Sequence, residues 1–352
     1  MNWNEIIFFS GFVAFILLML FIDLVLVGKK SHVVSFKESI IWTVIWVSIS
    51  LIFYFIIRTH GDWIHGIDSL EKLKHIIAIH DHSINIDGMD FESALTVYRN
   101  NLSLEYLTGY LIEYALSVDN VFVMILIFIA FGVQQKYYKR VLFWGIIGAI
   151  VMRFVFIFLS AALIQEFAWI LYLFGLLLIF TGIKMFLTRN KEEKMDADKH
   201  PVVKFASKYF AVYPRYVKQH FVVRKNKKNY ITPLLIVLLV IEFTDVIFAV
   251  DSVPAIFSIT KDPYIVFFSN IFAIIGLRSL FFLLSNVMDK FRYLKIGLAV
   301  LLTFIGLKMI FHHWLKEIGF TTAYSLYVVL AILLVSVLAS LVIPEREEGE
   351  TK

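Results

Sequence analysis

Five carboxylates lie inside long apolar stretches of this sequence, where an ionised side chain is costly. They are Glu113, Asp119, Glu242, Asp245 and Asp251. A charged residue at the centre of a membrane-spanning helix costs roughly 2.5–3.5 kcal/mol on insertion scales, so five without partners would cost about 12–18 kcal/mol. The sequence therefore predicts that these acids are paired, protonated or arranged around a cation.

Oxygen donors accompany these acids along the chain, in Ser117, Asn120, Thr244 and Ser252. Carboxylate, amide and hydroxyl oxygens are the ligands of hard cations such as Mn²⁺, Mg²⁺ and Ca²⁺. The chain has no cysteine, which excludes a thiolate metal site, a cysteine nucleophile and a disulfide framework. We predict a divalent-cation site drawn from Glu113, Asp119, Asn120, Glu242, Asp245, Asp251 and Ser252.

Two arginines in apolar sequence, Arg153 and Arg278, are the predicted ion-pairing or gating partners of the acids. An alternative is that acid–arginine pairs only hold the helices together, although five acids outnumber two arginines. Asp23, Thr244 and Asn270 are candidates for an ion path. For Asp23 and Asn270, hydrogen bonding between helices explains the same residues equally well.

A proline near the second group of acids predicts a local break. Asp251 follows Asp245 by six residues, so on an ideal helix it is rotated about 120° away from it. Pro254 removes one helical hydrogen bond and frees the carbonyl of Val250. We expect the helix to break there, turning Asp251 inward toward the cation.

The elements that position these residues are membrane spans. Of the 352 residues, 60% are hydrophobic and 17% are charged, whereas an average soluble domain is about 25% charged. Nine segments are apolar enough, and near enough to the roughly 20 residues that a bilayer core requires, to cross a membrane. They are 6–27, 38–57, 106–131, 141–163, 168–187, 233–259, 264–285, 293–311 and 322–343. We predict an all-α, multi-pass membrane protein with about nine transmembrane helices.

Basic residues are distributed unevenly between the two sides of this arrangement. With the N-terminus outside, the inner segments carry 23 Lys and Arg and the outer segments carry 6. The positive-inside rule therefore favours an N-out, C-in orientation. The formal net charge of +5 accordingly indicates contact with membrane lipid and not with nucleic acid.

Part of the chain is repeated. The matching segments are 113–121 with 245–253, 149–153 with 273–278, and 181–185 with 304–309. Each copy holds three spans, so the second copy enters the membrane from the opposite face and forms an inverted repeat. The predicted organisation is two helices in 1–57, an extracytoplasmic loop at 58–105, repeat 1 in 106–187, a basic cytoplasmic loop at 188–232, repeat 2 in 233–311, and a last helix with a cytoplasmic tail in 312–352.

Two segments outside the spans have distinctive compositions. Segment 58–105 holds five of the ten histidines, and His80, Asp81 and His82 form a possible chelating motif. The simpler interpretation is a solvated loop with a short helix near 69–79. Segment 188–230 interleaves basic and aromatic residues, which is typical of RNA binding or of a loop on anionic lipid, and lipid requires fewer assumptions.

Five motifs give the sequence a family resemblance. They are SHVVSFKE at 31–38, EYLTGYLIE at 105–113, LSVDNVF at 116–122, IEFTDVIFAVDSVP at 241–254 and SNIFAIIGLRS at 269–279. With these motifs the chain resembles the TerC family of bacterial integral membrane proteins, in particular its Alx-like branch. The resemblance implies Mn²⁺ efflux, with the seven predicted cation-site residues at the matching positions. The family's association with tellurium resistance finds no physical basis in this sequence, and segment 60–100 is longer than the usual connection.

The sequence therefore favours a secondary transporter in the bacterial inner membrane that exports Mn²⁺, with the ion as cargo and no permanently bound cofactor. The chain has no GxxxxGK[ST] loop, so we expect proton exchange and not ATP to drive export. Its expected partners are a divalent metal ion and membrane lipid, an oligomer is possible, and no enzyme activity is expected. Two alternatives remain open. One is an accessory membrane protein for tellurium resistance or for metalation or insertion of partner proteins, and the other is an intramembrane hydrolase using an acid dyad.

Overall fold

The computed structural model describes residues 3–27, 34–167, 169–188, 200–225, 228–285 and 293–342. The fold is almost entirely helical. Its helices are α1 (Trp3–Val27), α2 (Phe36–His60), α3 (Leu70–His80), α4 (Phe91–Ala130), α5 (Gln135–Glu166), α6 (Ile170–Thr188), α7 (Pro201–Tyr209), α8 (Pro233–Phe257), α9 (Pro263–Leu284), α10 (Leu294–Ile310), α11 (His312–Glu317) and α12 (Thr322–Val342). A 3₁₀ turn (Gly61–Trp63) follows α2, and strands β1 (Val222–Lys225) and β2 (Lys228–Ile231) form an antiparallel hairpin.

Local sequence fixes several helix starts. Asp90 caps α4, since its carboxylate accepts a hydrogen bond from the Ser93 amide at 3.2 Å. Helices α8 and α9 both begin with proline at the first turn, where the missing amide hydrogen is not needed. Because α4 begins at Phe91, it extends well beyond the predicted start of its span at 106.

Seven of the described helical segments are long and apolar enough to cross a membrane. They are Phe36–Trp63, Phe91–Ala130, Gln135–Glu166, Ile170–Thr188, Pro233–Phe257, Pro263–Leu284 and Thr322–Val342. The first helix contributes a shorter apolar stretch, Ile6–Ile22, and α10 has 17 residues. The predicted all-α, multi-pass architecture is thus confirmed, while the number nine stays a prediction.

Helix α9 forms the centre of the bundle. In its most apolar stretch 94% of the residues are buried, and it packs against α2, α4 and α5. Aromatic rings fill the surrounding space, with the ring centroids of Phe12 and Phe268 4.4 Å apart and those of Phe53 and Phe272 4.9 Å apart. Polar residues of α9 therefore lie inside protein and not against lipid.

The segments assigned to one side of the membrane by the sequence meet at one end of the bundle. Asp81, after α3, accepts a hydrogen bond from Lys261 in the α8–α9 turn at 2.8 Å and lies 3.4 Å from His312. Asp81 has a left-handed backbone, φ 49°, which turns the chain at the end of α3.

The basic segment meets the bundle at another loop. The Tyr216 hydroxyl donates to the Phe131 carbonyl at 2.7 Å, and the Arg140 guanidinium lies over the Phe221 ring. Within this segment the structure forms α7 and the β1–β2 hairpin, two elements that the predicted loop did not include. Residues 189–199 lie outside the described part of the chain.

Helices α6 and α10 cross at small residues. A Cβ atom added to Gly182 would lie 2.7 Å from the Ala299 carbonyl oxygen, and one added to Gly306 would lie 2.6 Å from the Gly175 carbonyl oxygen. Close approach of two backbones requires residues without a side chain at such points. The crossing therefore depends on its glycines.

Candidate functional site

The centre of the site is Arg153 on α5, whose side chain is completely buried. Its guanidinium donates to the Glu113 carboxylate on α4 and, at 2.9 Å, to the Ser252 hydroxyl on α8. On its other edge Nη2 and Nε donate to the two carboxylate oxygens of Asp245, at 3.3 and 3.5 Å. One arginine thus connects three helices through charge-assisted hydrogen bonds.

The Arg153 network gives two of the five predicted cation-binding acids an arginine partner. Glu113 and Asp245 are 0% and 3% exposed, so neither has water to replace the guanidinium. The ion-pair alternative raised by the sequence therefore describes these two acids in this structure. It leaves Asp119, Asp251 and Glu242 to be accounted for.

One face of α4 carries buried polar atoms that have no hydrogen-bond partner among the described residues. They are Glu113 Oε2, Ser117 Oγ and Asn120 Nδ2. The spacing of four and three residues places them in a row along the helix. Buried polar atoms are nearly always bonded to protein, water or an ion, so this row is a candidate position for water or an ion.

Beside this row lies a cleft of about 180 Å³ between α4, α6, α8 and α10. Its polar lining is Asp119, Asn120, Thr181, Lys184, Thr188, Asp251 and Ser252. Thr181 donates a hydrogen bond to the Asp251 carboxylate at 3.1 Å. Ser252 belongs both to this cleft and to the Arg153 network, so the two groups of acids adjoin.

The predicted helix break at Pro254 is wrong. Helix α8 continues from Pro233 to Phe257 through the proline. Asp251 reaches the cleft without a helix break. An uninterrupted α8 already directs the Asp251 side chain toward the side on which α6 and α10 pack. Pro254 lies in the last turn of α8, where the loss of one hydrogen bond has little effect on helix direction.

Glu242 stands apart from both groups. Its carboxylate lies against Gly148 of α5, so closely that a Cβ atom on that glycine would overlap the carboxylate oxygens. The Thr244 hydroxyl donates to the Val240 carbonyl of its own helix at 2.7 Å, and its predicted place on an ion path stays a prediction.

The remaining predicted residues have separate surroundings. Arg278 is partly exposed and lines a cavity of about 20 Å³ together with Asp245. Asn270 is completely buried in α9, and both of its amide atoms have no hydrogen-bond partner within the described part of the chain. The Asp23 side chain lies outside the described residues.

Sequence reasoning missed the contribution of α6 to the cleft. Thr181 and Lys184 belong to a segment recognised as repeated at 304–309, so the signal was present as a polar pair in an apolar helix. It was not connected to the acids because only packing brings α6 alongside α8.

The interpretation of segment 58–105 as a solvated loop is wrong for three of its histidines. His65, His80 and His82 are 1%, 7% and 3% exposed, although α3 confirms the short helix. Burial lowers the pKa of His80 below its ordinary value. For His82, burial acts in the same direction, but the charge and hydrogen bond of Glu105 outweigh it and raise the pKa.

Comparison with known proteins identifies the family of this chain. A sequence profile of the integral membrane protein TerC family matches residues 98–348. The chain belongs to the TerC family. The matched range contains both the Arg153 network and the cleft, whereas His65, His80 and His82 precede it.

Relatives of this TerC-family protein are similar over nearly their full length. A protein of Escherichia coli K12 named "Putative membrane-bound redox modulator Alx" is 40% identical over 93% of this chain and 92% of its own. The Salmonella typhi protein of the same name is 40% identical over 93% and 91%. An uncharacterized membrane protein of Myxococcus xanthus is 39% identical over 95% and 91%. No solved structure matches the chain.

Proposed function

We propose that this TerC-family protein exports a divalent metal ion, Mn²⁺, across the bacterial inner membrane and that the cleft between α4 and α8 binds the ion. The observation that carries the proposal is the position of Asp119 and Asp251. These residues occupy corresponding positions in the two repeats, and both line the same cleft. The cleft thus brings together two carboxylates and one lysine, Lys184, and two carboxylates in one cleft of a membrane bundle suit a divalent cation.

The donor chemistry of the cleft fits such an ion. Asn120 and Ser252 add amide and hydroxyl oxygens to the two carboxylates. A set made only of oxygen donors suits Mn²⁺, Mg²⁺ and Ca²⁺ better than Cu⁺ or Zn²⁺. The choice of Mn²⁺ among the three rests on the family resemblance.

Arg153 has a distinct role in this proposal. It neutralises part of the charge of Glu113 and Asp245. These two acids therefore add little negative charge next to the cleft. Ser252 connects the two groups, because its hydroxyl accepts from Arg153 and also lines the cleft. Entry of a cation next to Ser252 then changes the electrostatic environment of the arginine directly.

Energetics favours coupling to protons. Moving two charges outward against an inside-negative potential costs about 4.6 kcal/mol per 100 mV. If two protons replace one Mn²⁺ on Asp119 and Asp251, the exchange moves no net charge. The two carboxylates are then both the metal ligands and the proton carriers.

The contacts between α6 and α10 support an inverted repeat. The repeat offset there is 124 residues, so Gly182 corresponds to Gly306 and Gly175 corresponds to Ala299. Gly182 packs on Ala299 while Gly306 packs on Gly175, which is the exchange of partners that a two-fold relation produces. Rocking one repeat against the other would then expose the cleft alternately to each side.

The proposed orientation follows from where the cleft opens. Its lining reaches Thr188, the last residue of α6, which precedes the basic segment. Under the positive-inside rule that end faces the cytoplasm. With the nine predicted spans, this orientation puts the N-terminus outside. The cleft would accordingly receive the ion from the cytoplasmic side.

The name of the Alx relatives suggests another function, modulation of redox state. A thiol mechanism is excluded for this chain, because its 352 residues include no cysteine. An accessory role, in which the buried ion pairs are structural, is the alternative that the Arg153 network favours. The two proposals differ in what the cleft acids do.

The test is Mn²⁺ uptake by inside-out vesicles that contain the purified, reconstituted protein. We expect uptake to increase with an imposed pH gradient and to fall at least about tenfold in Asp119→Asn and Asp251→Asn, since each removes one charge from the ligand set. Asp87→Asn, which changes an exposed acid outside the spans, is the matched control. Undiminished uptake in both cleft variants would refute the assignment of the cleft, and a folded wild-type protein that moves no divalent ion would favour the accessory role.

A further inference from the structure

A second group of potential metal ligands combines two histidines that precede the family match with an aspartate that lies inside it. His65 follows the 3₁₀ turn, His80 ends α3, and Asp262 precedes α9. One ligand atom from each of the three residues lies within 4.8 Å of the other two. The residues come from three separate segments, so only the folded chain assembles them.

All three side chains are buried, with Asp262 0% exposed. His65 Nε2 and an oxygen of Asp262 are 2.8 Å apart. The second oxygen of Asp262 accepts from the Tyr264 amide at 2.9 Å, which fixes the orientation of the carboxylate. Two of the three ligands are thus held in place by the protein.

His80 provides the unexplained atom. Its Nδ1 is buried and has no hydrogen-bond partner among the described residues. One nitrogen of a neutral imidazole carries a lone pair that can bind a metal ion. His80 therefore brings to the cluster a buried nitrogen that no described residue uses.

A shell of further polar groups surrounds the cluster. The His82 ring lies 5.9 Å from that of His80, and its Nδ1 is 2.9 Å from Glu105, which also accepts from Asn101 at 2.7 Å. His82 Nε2, Glu105 Oε2 and the Tyr98 hydroxyl are buried without partners in the described chain. This concentration of unsatisfied polar atoms is explained by an ion with its bound water, and not by apolar packing.

We propose that His65, His80 and Asp262 bind a divalent transition-metal ion of the Zn²⁺ class. Two imidazoles and one carboxylate are ligands that Zn²⁺ prefers, and three protein ligands leave a position for water. Imidazole donors disfavour Ca²⁺ and Mg²⁺, which separates this site from the all-oxygen cleft. The ion would join α3 to the α8–α9 turn and hold segment 58–90 against the second repeat. The inference is independent of the proposed transport function.

The experiment measures Zn²⁺ binding to the full-length protein in detergent after its metals are removed with EDTA. We expect one Zn²⁺ per chain by elemental analysis after gel filtration, and a visible Co²⁺ absorption band typical of a four-coordinate site. His80→Ala removes the free lone pair and should weaken Zn²⁺ binding at least about 100-fold, because loss of a partner one step further from the metal already costs 10–100-fold. His75→Ala, an exposed histidine of the same helix, should leave binding unchanged.

Asp262→Asn is the second variant, chosen because asparagine also caps a helix start and so preserves the bond to Tyr264. It should fold, as judged by gel filtration, and lose Zn²⁺ binding. Asp119→Asn should keep the bound Zn²⁺, which separates this site from the transport cleft. Absence of Zn²⁺ binding by the wild type, undiminished binding in both site variants, equal competition by Ca²⁺, or loss of the ion in Asp119→Asn would each overturn the proposal.

Discussion

Removing the guanidinium of Arg153 should destabilise the bundle more than any exposed charge change. At the 3.3 Å between Arg153 Nη2 and Asp245 Oδ1, an effective dielectric constant of about 20 gives an attraction of about 5 kcal/mol. Glu113 forms a second ion pair with Arg153, but the desolvation free energy of the two buried carboxylates offsets part of this attraction. Loss of one partner from a buried ion pair costs about 3–5 kcal/mol in measured cases. We therefore expect Arg153→Gln to lower the free energy of unfolding by about 3–5 kcal/mol.

The assay is reversible unfolding of the purified protein in mixed micelles with increasing SDS, followed by circular dichroism. Arg58→Gln is the matched control, because Arg58 lies exposed on α2, and its effect should stay within about 0.5 kcal/mol. The triple variant Arg153→Met, Glu113→Gln, Asp245→Asn removes all three charges and should recover most of the loss. If Arg153→Gln unfolds within about 1 kcal/mol of wild type, or if the triple variant is as unstable as the single one, the reasoning from buried charge is refuted.

Two glycine predictions test packing around the site. Gly306→Ala should destabilise the α6–α10 crossing by about 1–3 kcal/mol in the same SDS unfolding, because its Cβ would lie 2.6 Å from the backbone oxygen of Gly175. An unchanged midpoint would contradict that contact. Gly148→Ala should displace the Glu242 carboxylate and destabilise the packing of α5 on α8 by a similar amount in the same unfolding, and an unchanged midpoint would show that the contact is dispensable. Gly11→Ala, which has open space around it, is the control for both.

Much of the fold was predictable because bilayer solvation imposes strong rules on composition. Long apolar segments have to be helical, since no water satisfies their backbone groups. The all-α, multi-pass architecture follows from this rule, and the motifs around Asp119 and Asp251 led to the correct family. Boundaries were less predictable: the polar start of α4 at Phe91 is set by the cap at Asp90, which a hydropathy criterion does not detect.

The candidate site was predicted as a set of residues but not as an arrangement. Asp245 and Ser252 both belong to the predicted set, and both contact Arg153. Helical periodicity placed Asp251 on a different face of α8 from Asp245. The predicted break at Pro254, which was to turn Asp251 inward, is not present in the structure. Periodicity describes one helix at a time, so the partner that each face meets stayed undetermined.

The sequence by itself determined which residues are costly in a membrane, because that cost depends on side-chain type and on the apolar residues around it. It also determined the helices and the family to which they belong. Only the tertiary structure decided that Arg153 bonds Glu113 and Asp245 while Asp119 and Asp251 share a cleft. It alone brought His65 and His80 to Asp262, nearly two hundred positions away along the chain. The physical reason is that ion pairs and metal ligands act over a few ångströms, and such distances are set by helix packing and not by separation in sequence.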